Sequence, residues 1–131
     1  KVAAVSDYRP VSVADHKMKK GAEGISLEME RTTDILKTIG QRKRPGQILI
    51  GFAAETRDME SYARQKITAK NLDMIAANLI GPSDSGFAAD TNRMTLFFAD
   101  GRKVGLDVMD KEAVAHLILD QVAALLAAPA T

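Results

Sequence analysis

Two mostly apolar runs with a helix-length segment between them limit the folds open to this chain. Gln47-Ile48-Leu49-Ile50-Gly51-Phe52-Ala53-Ala54 is the strongest buried strand in the sequence, and Leu72 to Ala77 is a second. Neither alternates apolar with polar residues, so neither can leave one face to water; such strands belong in a sheet covered on both sides. Between them, Thr56 or Asp58 is placed to cap a helix running to about Lys70. Strand, helix and strand in that order predict parallel strands joined by a right-handed crossover.

The flanking segments extend this α/β pattern. Val2 to Ser6 reads as a short buried strand ended by Asp7, and Asp7 to Gly24, with Lys17, Lys19, Lys20 and two glycines, as a long, partly mobile loop. Ile25-Ser26-Leu27-Glu28-Met29-Glu30 alternates strictly, which marks a strand with one face in a core or at an interface. A short helix from about Asp34 to Ile39 follows, with Thr32 or Thr33 as N-cap and Gly40 as its stop. Asn78 to Asn92 reads as a loop. Arg93 to Ala99 and Val104 to Val108 flank Asp100-Gly101, a hairpin signal with a turn of three to five residues. The last helix starts near Asp110 and aligns Val114, Leu117, Ile118, Val122, Leu125 and Leu126 in one stripe, and Ala127 to Thr131 is expected to fray. With about three strands for a parallel core, an N-terminal βαβ portion of the fold is expected to lie outside this chain.

Length and composition narrow the function classes. A chain of 131 residues is one domain or part of one. Its 46% apolar and 27% charged residues are those of an ordinary globular protein. A net charge of +1 argues against nucleic-acid binding driven by overall charge. No Cys is present, so there is no disulfide, thiolate nucleophile or Cys-ligated zinc, which suits a cytoplasmic protein. No apolar run is long enough to span a bilayer.

Several clusters are candidates for chemistry, each with a plainer reading beside it. Asp7 follows a buried strand at its carboxyl end, where open α/β sheets bind ligands; there it can accept from ribose hydroxyls or hold a divalent cation, or simply serve as a turn residue. Lys17-Met18-Lys19-Lys20 can meet a polyphosphate or form a solvated face. Tyr62, Lys66 and Lys70 share a helix face at successive four-residue steps, and two stacked lysines require compensation from the helix dipole or from a bound anion or nucleobase carbonyl. Gly51-Phe52-Ala53-Ala54-Glu55-Thr56 combines small residues that let a ligand approach with a ring that can meet a sugar or base, yet it is neither a P-loop nor a dinucleotide fingerprint. Glu112, His116 and Asp120 read as solvated polar surface.

Taken in order, Ala3-Ala4-Val5-Ser6-Asp7-Tyr8-Arg9-Pro10, Lys17-Met18-Lys19-Lys20, Thr33-Asp34-Ile35-Leu36, Gly51-Phe52-Ala53-Ala54-Glu55-Thr56 and Ala63-Arg64-Gln65-Lys66 through Lys70-Asn71-Leu72-Asp73 resemble the motif series of phosphopantothenoylcysteine synthetases. The resemblance continues through Ala76-Ala77-Asn78, Gly86-Phe87 and the final hairpin and helix. It implies a three-layer, mostly parallel, Rossmann-like α/β sheet with an added hairpin and dimerisation strands. It also implies a homodimer in which CTP, with Mg2+ or Mn2+, activates 4'-phosphopantothenate as an acyl-cytidylate, and L-cysteine then displaces CMP. In bacteria such a domain commonly follows an FMN-dependent decarboxylase, which is absent from this chain.

Matched residue by residue, the resemblance makes Lys17 the catalytic cation that reaches the reacting phosphates. Asp7 would contact the nucleotide or its metal ion. Thr33, Asp34, Ile35 and Leu36 would supply backbone contacts to cytosine, and Phe52, Lys66 and Lys70 would complete the nucleotide pocket. Three positions depart from the family pattern: Ser6 stands where Ala is frequent, Met18 where Ile is frequent, and Thr33 where Pro usually precedes Asp-Ile. Thr33 gives up a rigid φ and gains a capping oxygen. The family's glycine-rich loop and an Asn that acts on the acyl intermediate are expected outside the chain, so these residues alone are not expected to catalyse the full reaction. The alternative is a non-catalytic nucleotide-binding or dimerisation module, with the Ile25 to Glu30 strand and the Arg93 to Val108 hairpin pairing across a twofold axis. A Rossmann-like oxidoreductase is disfavoured because no Gly-x-Gly-x-x-Gly occurs.

Overall fold

A computed structural model describes residues 5–19, 24–55, 57–79 and 91–127. The chain divides into two compact units, Lys1–Ile35 and Leu36–Thr131.

The first unit is built on a two-stranded antiparallel ribbon, β1 (Tyr8–Pro10) with β2 (Met29–Arg31), in the register Tyr8↔Arg31, Arg9↔Glu30, Pro10↔Met29. Backbone bonds from Val11 to Glu28 and from Thr32 to Asp7 continue the ladder at both ends. Arg9 Nε donates to Glu30 Oε1 at 2.7 Å across the pair. Two expectations change here. Of the strand expected over Val2 to Ser6, Val2 to Ala4 lie outside the described residues, while Val5 and Ser6 are exposed and precede the strand, which starts at Tyr8. The alternating segment Ile25 to Glu30 enters a strand only at Met29, and Ile25, Leu27 and Met29 are exposed. Short ribbons depend on partners far along the chain, which local alternation does not encode.

The second unit is the α/β sandwich. Helix α1 (Ile35–Gln41) runs past the expected stop, because Gly40 is a buried residue inside it. A Cβ at Gly40 would stand 1.9 Å from the Lys70 carbonyl oxygen, so glycine is present for close approach of two backbones and not as a C-cap. Strand β3 (Ile50–Glu55) begins later than Gln47. The Gln47 amide and side chain are spent on a turn: Gln47 N donates to Arg44 O at 3.1 Å, and Arg44 N donates to Gln47 Oε1 at 2.8 Å.

Helix α2 (Met59–Lys70) is entered through Asp58 in a left-handed conformation, φ 48°, with no side-chain capping bond, and leaves through Asn71, also left-handed at φ 51°. The Leu72 amide then donates to Ile67 O at 3.0 Å, which closes the turn and buries Leu72 before β4 (Met74–Leu79) starts. The loop expected from Asn78 to Asn92 gives up Asn78 and Leu79 to β4 and Thr91–Asn92 to β5; residues 80–90 lie outside the described residues.

Strands β6 (Met94–Phe98) and β7 (Lys103–Gly105) form the expected hairpin. Its turn spans Ala99 to Arg102, with Gly101 at φ 91° and Asp100 Oδ1 accepting from Arg102 N at 2.9 Å. The expected Val104 to Val108 strand stops at Gly105, and β8 (Met109–Asp110) pairs instead with β5. Helix α3 (Lys111–Ala127) is capped by Asp110 Oδ1, which accepts from Ala113 N at 2.7 Å. Residues 128–131, within the segment expected to fray, lie outside the described residues.

The main sheet is four-stranded, ordered β3-β4-β6-β7, with β3 and β4 parallel and the other neighbours antiparallel. Alternation along β4 separates two cores. Met74 and Ala76 pack with Leu96, Phe98 and α3 residues Val114 and Ile118, while Ile75 and Ala77 pack with Phe97 and α2 residues Ala63 and Ile67. Helices thus cover both faces, giving the expected three layers. Leu125 joins the α3 core, whereas Leu126, assigned to the same stripe, is exposed. Among the described residues no helix is long and apolar enough to cross a membrane.

Candidate functional site

In the first unit, pairing brings two of the sequence motifs side by side. Thr32 N donates to Asp7 O at 2.9 Å, and the Thr32 hydroxyl donates to Ser6 O at 2.6 Å. The segment carrying Asp7 is thereby stitched to the segment of Thr33 and Asp34 that leads into α1 at Ile35. Helix α1 starts at Ile35, so Asp34, and not Thr32 or Thr33 as expected, stands at the N-cap position. Asp7, Thr33, Asp34 and Ile35 are all exposed, and Lys17 lies exposed in irregular backbone. A single accessible carboxylate at Asp7 fits a magnesium ion that arrives on phosphates, because such an ion keeps most of its water and needs only one or two protein carboxylates. Among the described residues no three His, Cys, Asp or Glu side chains gather to form a cation cage.

In the second unit, Leu36 is half-buried against the α2 core. Gly51 has a different role from the one its motif suggests. A Cβ there would stand 2.8 Å from Leu72 Cδ1 and 3.3 Å from Leu36 Cδ2, so the missing side chain admits core residues rather than a ligand. Phe52 is 69% exposed on β3, an unusual setting for a phenyl ring in a strand. Alternation places it on the α3 side of the sheet, together with Ile50.

Lys66 and Lys70 lie along α2, and Lys66 Nζ forms an ion pair with Glu55 Oε1 at the end of β3. The pair sits on the α2 side, with Gly51 and Ala53, so Phe52 and Lys66 occupy opposite faces of the strand. Glu55 supplies compensation for the stacked lysines that sequence reasoning required and did not locate. It was visible inside the Gly51 to Thr56 motif. The signal that could have identified it is a carboxylate at the carboxyl end of a parallel strand, where the crossover helix must pass.

A second charged group ties the hairpin to α2. Glu60 Oε2 accepts from Lys103 Nζ at 2.6 Å and Glu60 Oε1 from Arg64 Nη2 at 2.8 Å. These cations, Lys103 foremost, hold the Glu60 carboxyl below the usual glutamate range. Both also lie over the buried Phe97 ring, at 5.5 Å and 5.8 Å from its centroid. In the hairpin turn, the Asp100 carboxyl is lowered by hydrogen bonds from the Arg102 side chain and amide. At the same end of the sheet, where Ala99 N donates to Asp73 O at 2.9 Å, Asp73 Oδ2 accepts from Leu49 N at 2.6 Å and Oδ1 from Lys43 Nζ at 2.7 Å, which fixes the amino ends of β3 and β4.

Comparison with known proteins agrees with this fold. Over 125 residues the chain is 54% identical to the coenzyme A biosynthesis bifunctional protein CoaBC of Bacillus subtilis (strain 168), covering 95% of this chain and 30% of that protein. It is 42% identical over 123 residues to the protein of the same name from Escherichia coli (strain K12), covering 92% and 30%. The chain therefore spans about 30% of the length of these curated relatives. Among solved structures, the C-terminal domain of a coenzyme A biosynthesis bifunctional protein CoaBC superposes with a TM-score of 0.72 at 42% identity, over 95% of this chain and 52% of that one. A DNA/pantothenate metabolism flavoprotein from Streptococcus pneumoniae shares the fold, with a TM-score of 0.66 at 24% identity over 93% and 60%. Residues 1–126 match the model of the DNA/pantothenate metabolism flavoprotein C-terminal domain, and with that match and these relatives the chain belongs to this family.

Proposed function

We propose that this chain is the nucleotide-binding and dimer-forming part of a CTP-dependent ligase of coenzyme A biosynthesis, which joins 4'-phosphopantothenate to L-cysteine. The observation that carries the reading is the ordered motif series, from Asp7 through Lys70, in a chain whose relatives bear the name of coenzyme A biosynthesis. In the first step a carboxylate oxygen of 4'-phosphopantothenate attacks the α-phosphorus of CTP, and the bond to pyrophosphate breaks. In the second the cysteine amine attacks the acyl carbon, the bond to CMP breaks, and the amine loses a proton as the amide forms.

The residues have distinct roles in this proposal. Lys17 places a compact positive charge where negative charge develops on the phosphates. Asp7 would contact the nucleotide or hold the metal ion that CTP carries, and that ion would supply charge neutralisation on the phosphates. The backbone from Thr33 through Asp34 and Ile35 to Leu36 supplies contacts to the base, which can select cytosine through its amino group. Phe52 packs on the nucleoside, while Lys66 and Lys70 donate to it. A second copy of the chain would cover exposed Ile25, Leu27 and Met29. FMN would be bound only by a fused decarboxylase domain, where the full-length protein carries one.

Calorimetric titration of the full-length protein with CTP, ATP and NADH tests the nucleotide assignment. CTP is expected to bind most tightly; preferential NADH binding overturns the reading, and no binding at all favours a dimerisation module. Lys17→Ala is expected to lower turnover by roughly a hundredfold or more while CTP still binds. An unchanged rate removes Lys17 from the chemistry.

A further inference from the structure

We infer that Glu55 is the positioning residue of the nucleotide site: it turns the Lys66 ammonium toward an uncharged acceptor of the nucleoside and away from the triphosphate. The inference rests on the assignment of Lys66 to nucleotide binding made above. Glu55 is the last residue of β3, and alternation directs its side chain onto the face that α2 covers. Its side chain is only 15% exposed, against 40% for Lys66, and their oppositely charged ends are in contact. The carboxylate is therefore the anchored member of the pair and the ammonium the accessible one.

An ammonium has three donors on a stem that loses about 2 kcal/mol of rotamer freedom when ordered. Contact with Glu55 commits a donor and orders the stem in advance, leaving donors at the solvent edge in a set direction. Preorganisation of this kind shows as tighter binding rather than faster chemistry. Charge decides which part of the nucleotide is met. A lysine whose charge is answered by an adjacent carboxylate has little net attraction for a triphosphate, and the carboxylate itself repels one. A base carbonyl or ribose hydroxyl accepts from such a donor without that repulsion. Glu55 touches no ligand in this arrangement and acts through Lys66.

The test uses the full-length protein and compares Glu55→Gln, Glu55→Asp, Lys66→Ala and the double variant Glu55→Gln/Lys66→Ala. Glu55→Gln is expected to raise the KM for CTP and the Kd for CMP by a similar factor, roughly tenfold, with kcat and thermal midpoint nearly unchanged. Glu55→Asp, which keeps the charge on a shorter stem, is expected to fall between Glu55→Gln and the unaltered protein. In the Lys66→Ala background the Glu55→Gln change is expected to add nothing. Unchanged or tighter CTP binding by Glu55→Gln, while Lys66→Ala weakens it, overturns the positioning role and leaves the nucleotide assignment intact. Normal CTP binding by Lys66→Ala overturns the assignment itself. Weakening for CTP with none for CMP overturns the nucleoside-directed orientation.

Discussion

At the scale of single residues, two glycines separate roles that a sequence motif would merge. Gly40 and Gly51 both sit where a Cβ would collide, but with different neighbours: a Lys70 carbonyl in one case and the ends of Leu72 and Leu36 side chains in the other. A backbone carbonyl inside a helix cannot move away, whereas a leucine methyl can rotate. Gly40→Ala is therefore expected to cost about 3 kcal/mol and Gly51→Ala about 1 kcal/mol in urea unfolding of the full-length protein. Equal costs would contradict the difference in neighbours. Asp110→Ala removes the oxygen that meets Ala113 N at the start of α3, and is expected to cost about 1 kcal/mol in the same measurement. Asp110 was identifiable from spacing as the start of the last helix. Gly40 was not identifiable as a packing residue, because what excludes its Cβ lies thirty positions away in the sequence and becomes a neighbour only after folding.

Among the secondary-structure elements, those read most directly from the sequence were the ones whose neighbours follow immediately. The β3-α2-β4 unit announced itself through two mostly apolar runs, and the β6-β7 hairpin through Asp100-Gly101. Their edges shifted where side chains or turns claimed the backbone, as Gln47 does before β3 and Leu72 before β4. Three-residue strands such as β1 and β2 have too few positions to show a period, and they exist through pairing across a long loop. The hairpin's attachment to α2 is equally invisible locally, since Glu60 and Lys103 are far apart in sequence. Because Lys103 and Arg64 lower the Glu60 carboxyl in the folded chain, protonating it works against the fold. Its contribution is complete above the ordinary glutamate value of 4.5 and is lost as the pH falls below it toward the folded value. The difference in thermal midpoint between the unaltered protein and Glu60→Gln is expected at neutral pH and should close in acid. A difference that persists unchanged to about pH 3 would contradict the role given to Lys103 and Arg64.

For the whole molecule, physical chemistry alone reached an α/β layer structure with an accessible set of cations. The exposed Phe52 contradicts the reading of its strand as buried on both faces, because β3 lies at the edge of the sheet, and a nucleotide and an acid are implied only by the resemblance of the ordered motifs. The four-stranded sheet with helices on both faces agrees with the fold expectation. Pairing of the Asp7 segment with the Thr33 segment and of Glu55 with Lys66 shows how segments distant in sequence become local neighbours. Product formation tests the proposed CTP-dependent ligation by the full-length protein most directly. Full-length protein supplied with Mg2+, 4'-phosphopantothenate, L-cysteine and CTP should yield phosphopantothenoylcysteine, CMP and pyrophosphate in equal amounts by mass spectrometry, and much less product when ATP replaces CTP. Formation of no ligated product with CTP by a folded, CTP-binding protein would contradict it.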